Sequence, residues 1–147
     1  MTTGVKQESV AGNVQQAVPF FMVSDISRSL RFYVDGLGFT KAKDGKLEWC
    51  WLQLDGTALM LQEFRKQFDG KLGQGVCICF QCRDALELYR QLIANGIEVK
   101  EPFVGNNMWV TALNDPDGYK LDFESPTDTP EEMTLSQWEQ RSQGCDS

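Results

Sequence analysis

The sequence predicts an α+β fold in which one structural unit occurs twice. Three landmarks recur at a nearly constant spacing of 58 to 62 residues: Asp25 and Asp84, Gly38 and Gly96, Gly56 and Gly118. In both halves a short apolar strand is followed by an amphipathic helix and then by hairpin strands. Duplicated halves place equivalent strands on both sides of a shared cleft, so the side chains at equivalent positions decide what the cleft binds.

The chain has 147 residues, which is enough for one domain with its own core. Its first residues are polar and aperiodic, and a segment with three glycines and several charges separates the halves. These features predict a flexible N-terminal arm over 1–16, a single domain over 17–126 with modules 17–64 and 76–126 joined by a linker over 65–75, and a C-terminal tail with a short helix over 127–147.

The amino-acid composition limits the cellular environment and the binding partners that we expect for this protein. The chain begins without an apolar signal segment and never reaches about 18 consecutive apolar residues, so we expect a cytoplasmic protein with no membrane contact. The net charge of −7 disfavours nucleic acid. The same charge would attract a cationic ligand, or it serves solubility. Five cysteines, an odd number without an export signal, predict free thiols.

The first half begins with an apolar run that favours a strand. Ser24 or Asp25 can then cap a helix whose apolar positions recur at spacings of three and four. Gly36 and Gly38 permit the left-handed backbone that ends such a helix. The predicted elements are a strand over 17–23, this helix, and strands over 46–54 and 57–64 joined by the hairpin dipeptide Asp55-Gly56.

The second half repeats this plan. Asp84 is the corresponding helix start and Gly96 the corresponding stop. In the tail, a threonine before Pro130 is a candidate helix cap. The predicted elements are strands over 76–81, 97–100, 109–113 and 119–124, a helix over 84–95, a tight turn at Asn114-Asp115-Pro116-Asp117-Gly118, and the short helix of the tail.

Two stretches of the sequence carry a family resemblance. SDISRSLRFYVDGLGF and DPDGYKLDFES, set in the repeated unit, resemble the glyoxalase/bleomycin-resistance/dioxygenase family, also called the vicinal oxygen chelate superfamily. The resemblance covers about residues 17 to 126. It implies two tandem βαβββ modules whose mixed sheets curl into an open cup, commonly completed by dimerisation, so we expect a homodimer. A shared fold by itself indicates little about function.

Family enzymes typically bind a divalent metal through the first and last strands of each module. The resemblance places those positions at Val18, Met60, Cys77 and Asp122. Valine cannot ligate, a thioether is soft and neutral, and the chain has no histidine. Catalytic zinc and iron sites generally need three ligands, largely histidine and carboxylate. We therefore expect no metal, no other cofactor and no catalytic residues.

The bleomycin-resistance members are similar to this chain in further respects. They are acidic, they lack a metal, and their first strand opens with a sequence like Ala-Val-Pro, found here at residues 17–19. The resemblance implies sequestration of a hydrophobic or cationic compound in a dimer crevice, without turnover. Two alternatives stay open: a glyoxalase-like lyase or isomerase that holds a metal through Asp122, Cys77, Gln62 or Glu63, and a regulatory module that acts through the tail helix and Trp138.

Large aromatic residues are dense on the predicted strands. Trp49 and Trp51 alternate with Glu48 and Cys50, so both indoles project from one face. Such residues form an ordinary core or stack on a flat or cationic ligand. We expect at least one of the two tryptophans to line the pocket. The aromatic candidates for the ligand site are Phe20, Trp49, Trp51, Phe103 and Trp109.

The polar candidates lie on strands that the resemblance places at the cleft. Asp122 and Glu124 share a face, where they would anchor an ammonium or guanidinium group or form a structural ion pair. Only one of Gln62 and Glu63 can face inward. The polar and sulfur-containing candidates are Met60, Gln62, Cys77, Asp122 and Glu124.

Three cysteines form a C-x-C-x-x-C pattern at Cys77, Cys79 and Cys82. The pattern is compatible with zinc, but a fourth ligand is missing nearby. We therefore expect these cysteines to be small buried hydrophobic residues.

Overall fold

The computed structural model describes residues 11–45, 48–64 and 71–144. The first module contains β1 (Phe20–Val23), α1 (Ile26–Leu30), β2 (Thr40–Asp44), β3 (Trp49–Leu54) and β4 (Thr57–Glu63). The second contains β5 (Cys77–Gln81), α2 (Ala85–Ala94), β6 (Phe103–Gly105), β7 (Met108–Asn114) and β8 (Lys120–Pro126), and α3 (Leu135–Gly144) follows. The prediction of an α+β fold with two βαβββ modules is confirmed.

Each module forms one four-stranded mixed sheet. The strand orders are β1-β4-β3-β2 and β5-β8-β7-β6, with the first pair of each sheet parallel. The two registers are equivalent, because the pair Phe20 and Met60 in the first sheet corresponds to Cys79 and Asp122 in the second. Neither sheet closes on itself, as expected for an open cup.

Each sheet has one packed face and one open face. The packed face of the first sheet is fully buried, for example at Val23, Leu52 and Leu59. It shares one hydrophobic core with Leu121 and Phe123 of the second sheet. Burial of this apolar area is the main stabilising contribution. The open faces carry the alternate residues of the same strands.

Helices α1 and α2 begin in the same way, with an aspartate cap. Asp25 accepts a hydrogen bond from the Arg28 backbone N–H, and Asp84 accepts from two N–H groups of α2. A side chain from the last strand of each module then binds the first helical N–H: Glu63 for α1 and Ser125 for α2. Helix α1 continues as a π-helical segment over Arg31–Gly36.

The turn before β8 connects the modules. The Tyr33 hydroxyl donates to the buried Asp115 carboxylate over 2.7 Å. The Ser24 hydroxyl donates to Asp117 over 2.6 Å. The Tyr119 ring stacks on Phe21 with its centroid 4.0 Å away. The modules are thus joined by both polar and apolar contacts.

Three sequence-based expectations are corrected by the structure. Residues 97–100 form no strand, because Ile97 and Val99 insert into the core as irregular chain. Strands β2 and β6 were not predicted; β2 is exposed throughout and shows no apolar alternation. The tail helix begins at Leu135 rather than at Pro130, because Thr134 and Gln137 form its reciprocal cap.

Some expectations fall partly outside the described residues. They concern the arm over 1–10, the strand start at 46–47, most of the linker at 65–70 and the chain end at 145–147. Among the helices that are described, none is both long and apolar enough to cross a membrane.

Candidate functional site

The open face of the first sheet is an aromatic and thioether surface. Residues paired across strands point to the same side of a sheet. Trp51 pairs with Met60, which pairs with Phe20, and Trp49 pairs with Gln62. Five predicted site residues therefore lie on one face, although Phe20 is 43% exposed and the others are half-buried.

Trp51 already contacts a cation of the protein itself. The Lys43 ammonium lies 5.2 Å from the centroid of the Trp51 ring. Lys43 and Trp51 are paired residues of β2 and β3. The negative face of an indole attracts a cation at this distance, so Lys43 already contributes a cation–π contact on this surface.

The open face of the second sheet carries thiols and carboxylates. Cys79 pairs with Asp122 across the parallel strands, and Cys77 is on the same side two residues earlier. Glu124 pairs with Val110, and Val110 with Phe103. This face therefore includes four predicted site residues: Cys77, Phe103, Asp122 and Glu124.

Asp122 is the most constrained polar group on this face. Its side chain is 14% exposed, and Lys120 Nζ lies 3.6 Å from Oδ2. The Cys77 thiol donates to the same Oδ2 over 3.5 Å. Oδ1 is buried and has no hydrogen-bond partner within the described part of the chain. Buried carboxylate oxygens normally have a partner, so Oδ1 is an unsatisfied acceptor at this position.

The thiols beside these carboxylates are held protonated. The hydrogen bond to Glu124, followed by burial, raises the pKa of Cys79 to about 12. Burial and the neighbouring Asp122 raise the pKa of Cys77. A thiol that is protonated at neutral pH is a weak nucleophile and a weak metal ligand. Contrary to expectation, Cys77 and Cys79 are exposed as whole residues, although their thiol groups are partly shielded from water.

The residues at the expected metal positions fit a catalytic cation poorly. Val18 has no donor atom and Met60 offers only a thioether. Cys77, Cys79 and Asp122 do bring their ligand atoms within 4.8 Å of one another, the one such group of three in the described ranges. Both thiols would have to lose a proton, and two thiolates favour soft ions over the hard ions of hydrolytic or isomerase sites.

Trp109 and Glu63 lie apart from the open faces. Trp109 is 6% exposed and meets Trp138 of α3 edge to face, with centroids 6.1 Å apart. It belongs to the packed side of β7, so the structure does not bring it together with the other nine predicted residues. Glu63 binds the N-terminus of α1, which leaves Gln62 as the inward member of that pair.

A cavity of about 640 Å³ is lined by none of the ten predicted residues. It is bounded by the β3–β4 hairpin and the start of β1 on one side, and by β5 and the first turns of α2 on the other. Its apolar lining includes Leu54, Phe80 and Leu88. The signal that could have revealed it is the repeat spacing, which increases from 59 residues at the helix starts to 62 at the hairpin glycines.

Comparisons with known proteins support the fold. No curated protein sequence matches the chain. Among solved structures, TnmS3, an antibiotic binding protein from Streptomyces sp. CB03234, is similar with a TM-score of 0.65 and 20% identity, over 78% of this chain and 98% of that one. A glyoxalase/bleomycin resistance protein/dioxygenase from Nocardioides gives a TM-score of 0.64 and 17% identity, over 88% and 90% of the two chains.

A glyoxalase/bleomycin resistance protein from the same Streptomyces strain is also similar, with a TM-score of 0.61 and 21% identity over 74% of this chain and 98% of that one. At such identities the likeness concerns the fold alone. The family model of the Glyoxalase/Bleomycin resistance protein/Dioxygenase superfamily matches residues 14–123, which is most of the sequence. The chain therefore belongs to the glyoxalase/bleomycin resistance protein/dioxygenase superfamily.

Proposed function

We propose that this protein binds and sequesters a hydrophobic or cationic aromatic compound, without a metal and without turnover. The observation that carries the proposal is the open face of the first sheet, where Trp49, Trp51 and Met60 form one surface that already contacts a cation. Stacking and cation–π contacts each contribute on the order of 1 kcal/mol to binding such a compound.

The second sheet supports the same ligand chemistry. Asp122 and Glu124 place two carboxylates on that face, and they would accept hydrogen bonds from an ammonium or amide group that displaces Lys120 from Asp122. The net charge of −7 favours the approach of cations over the whole surface. TnmS3, which has a similar fold, is described as an antibiotic binding protein.

We further propose that the protein acts as a cytoplasmic homodimer. Two open sheet faces with half-buried aromatic and carboxylate side chains are completed when a second copy contributes the facing sheet. Light scattering coupled to gel filtration is expected to give twice the chain mass. A monomer at micromolar concentration would contradict this part of the proposal.

The binding test uses calorimetric titration with bleomycin and with ethidium, a planar aromatic cation. Trp51→Ala is expected to weaken ethidium binding by about tenfold, because the cation–π surface is lost. Asp122→Asn is expected to weaken ethidium binding more strongly than Trp51→Ala does when the salt concentration is low. Trp138→Phe, which changes a tryptophan packed away from the open faces, is the matched control. Absence of binding for both compounds would overturn the proposal.

Sequestration is separated from catalysis by recovery of the ligand. Bleomycin released from the denatured complex is expected to have an unchanged mass. The group formed by Cys77, Cys79 and Asp122 favours one alternative, a metal-dependent lyase or isomerase. Near-stoichiometric metal in protein purified without chelators, lost in Cys77→Ser, would favour that alternative.

A further inference from the structure

The cavity between the modules is explained by a difference between the two halves. The register shows which residues correspond: Phe21 pairs with Leu61 in the first sheet, and Phe80 pairs with Phe123 in the second. Phe80 is therefore the counterpart of Phe21. The surroundings of these two rings can be compared directly, because each lies on an edge strand of its sheet.

In the first module, the edge of β1 is covered by an aromatic ring from the other module. Tyr119 stacks on Phe21 at 4.0 Å with an interplanar angle of 6°. Its hydroxyl donates to the Met22 carbonyl oxygen over 2.8 Å. Tyr119 comes from the β7–β8 turn, whose Asp117 also binds Ser24 at the start of α1.

In the second module, no ring from the first module is described at the corresponding place, and Phe80 stacks instead on Phe123 of its own sheet with centroids 4.7 Å apart. The β7–β8 turn has five residues between its strands, whereas the β3–β4 hairpin has only Asp55 and Gly56. The repeat spacing of 62 places Thr57 at the position of Tyr119. Thr57, Asp55 and Phe80 all line the cavity. The cavity thus includes the place that corresponds to the Tyr119 ring of the other half.

We propose that this cavity is a second small-molecule site, which takes a compact aromatic ring bearing a hydrogen-bond donor, such as a phenol. The floor is apolar, with Leu54, Phe80 and Leu88 among its residues. The backbone carbonyl of Gln81 corresponds to that of Met22, and Gln81 lines the cavity. It is the acceptor expected to bind the hydroxyl of the ligand.

The charged residues at the rim of the cavity disfavour the binding of acidic ligands. Among the described residues, Asp55, Asp84 and Glu87 line the cavity, and the one arginine of that lining, Arg83, is paired with Glu87 over 2.8 Å. An anionic ligand would be repelled by this surplus of carboxylates, whereas a neutral phenol or an aryl amine would not. Among the described residues that line the cavity, Cys79 and Gln81 of the edge strand β5 are the two that also lie on an open face used in the proposed sequestration.

The test uses p-cresol, the analogue of the tyrosine side chain. Amide chemical shifts in two-dimensional NMR are expected to change saturably in residues 54–57 and 80–88, with a dissociation constant in the millimolar range typical of a fragment of this size. Toluene, which lacks the hydroxyl, is expected to bind more weakly, and 4-methylbenzoate more weakly still. Stronger binding of 4-methylbenzoate would overturn the assigned ligand class.

Two variants fill the cavity. Thr57→Tyr places a ring at the position that corresponds to Tyr119. Leu88→Phe reduces the cavity volume from the opposite wall. Each variant is expected to weaken p-cresol binding by at least about tenfold. Ser142→Tyr, at an exposed position of α3, is the control and is expected to bind p-cresol as the wild type does. Ethidium binding should be unchanged in all three, so that failure here and failure of the proposed function are distinguishable.

The proposal is overturned if wild-type protein shows no saturable shifts up to about 10 mM p-cresol. It is equally overturned if a cavity-filling variant with a native circular dichroism spectrum binds p-cresol as the wild type does. If Thr57→Tyr fails to fold, p-cresol binding by Leu88→Phe decides whether the proposal stands.

Discussion

Asp115 is the buried carboxyl group through which the two modules are connected. It is 5% exposed, accepts the Tyr33 hydroxyl and accepts the backbone N–H groups of Asp117 and Tyr119. Burial raises the pKa of Asp115, and the three hydrogen bonds only partly oppose this effect. The cost of keeping the charge is therefore not fully offset at neutral pH.

This balance predicts a pH dependence that Asp115→Asn removes. An acid whose pKa is raised by folding stabilises the native state in its protonated form. The contribution is fully present below the unfolded pKa and is lost as the pH rises through the folded pKa. In urea unfolding across acidic to neutral pH, wild type is expected to lose stability relative to Asp115→Asn as the pH rises. A constant difference would show that burial and the hydrogen bonds cancel, and a difference of opposite sign would show that the hydrogen bonds dominate.

The Cys79 thiol gives a second prediction at single-residue scale. Since Glu124 is the largest cause of its raised pKa, Glu124→Gln should lower that pKa and increase the thiolate fraction. We expect alkylation of Cys79 by iodoacetamide at pH 8 to become about tenfold faster. Fragment-ion mass spectrometry separates Cys79 from Cys77 and Cys82. Glu139→Gln, in the exposed part of α3, is the control; equal rates in both variants would contradict the assigned cause.

Helix α3 depends on the cap at its start more than on its own sequence. Thr134 and Gln137 exchange side-chain to backbone hydrogen bonds of 3.0 and 3.2 Å. The helix then packs through Leu135 and Trp138 into a small cluster with Trp109. The start of the helix is also bound by the preceding segment, because the Ser136 N–H donates to Glu101 over 2.6 Å and the Leu135 N–H to the Pro102 carbonyl oxygen. Loss of the Thr134 cap should therefore destabilise this end without releasing it.

We therefore expect Thr134→Ala to reduce the free energy of unfolding by about 1 kcal/mol. Ser142→Ala, at an exposed position of the same helix, is expected to change it by less than about 0.5 kcal/mol. Urea denaturation followed by circular dichroism compares the two variants. A Thr134→Ala protein as stable as Ser142→Ala would mean that docking, rather than the cap, holds the helix.

The helices and strands whose apolar residues recur at regular spacing were predictable from the sequence, and the other elements were not. Helix α2, with Asp84 at its start and Gly96 beyond its end, was located within one residue at each end. Strand β2 was missed because all its residues are exposed. Strand β7 is buried on both faces from Trp109 to Leu113, so alternation could not indicate that Trp109 faces the packed side.

At the scale of the whole molecule, the duplication predicted the two modules but not the cavity between them. The family resemblance and period-two alternation together selected ten site candidates, and nine of them lie on the open faces because each strand has only two sides. The cavity depends on how a short hairpin meets α2 of the other module, which is a packing relation between distant segments. Such relations are visible in the sequence only indirectly, as the extra three residues of the β7–β8 turn.

The shared core predicts that the modules unfold together. Phe21 of the first module stacks on Tyr119 of the second, and both belong to one cluster of buried side chains. Neither module retains a complete core when the other is lost. The two tryptophan pairs allow a direct test, because Trp49 and Trp51 lie in the first module while Trp109 and Trp138 lie beyond it in the chain.

In the variant Trp49→Phe/Trp51→Phe, fluorescence reports only the second module and α3; in Trp109→Phe/Trp138→Phe it reports only the first module. Within each variant, we expect the fluorescence transition in urea to coincide with the transition measured by circular dichroism. A first-module transition that precedes loss of total secondary structure would mean that the contacts around Tyr119 do not couple the modules. Because the comparison is made within one variant, a change in overall stability caused by the substitutions does not affect it.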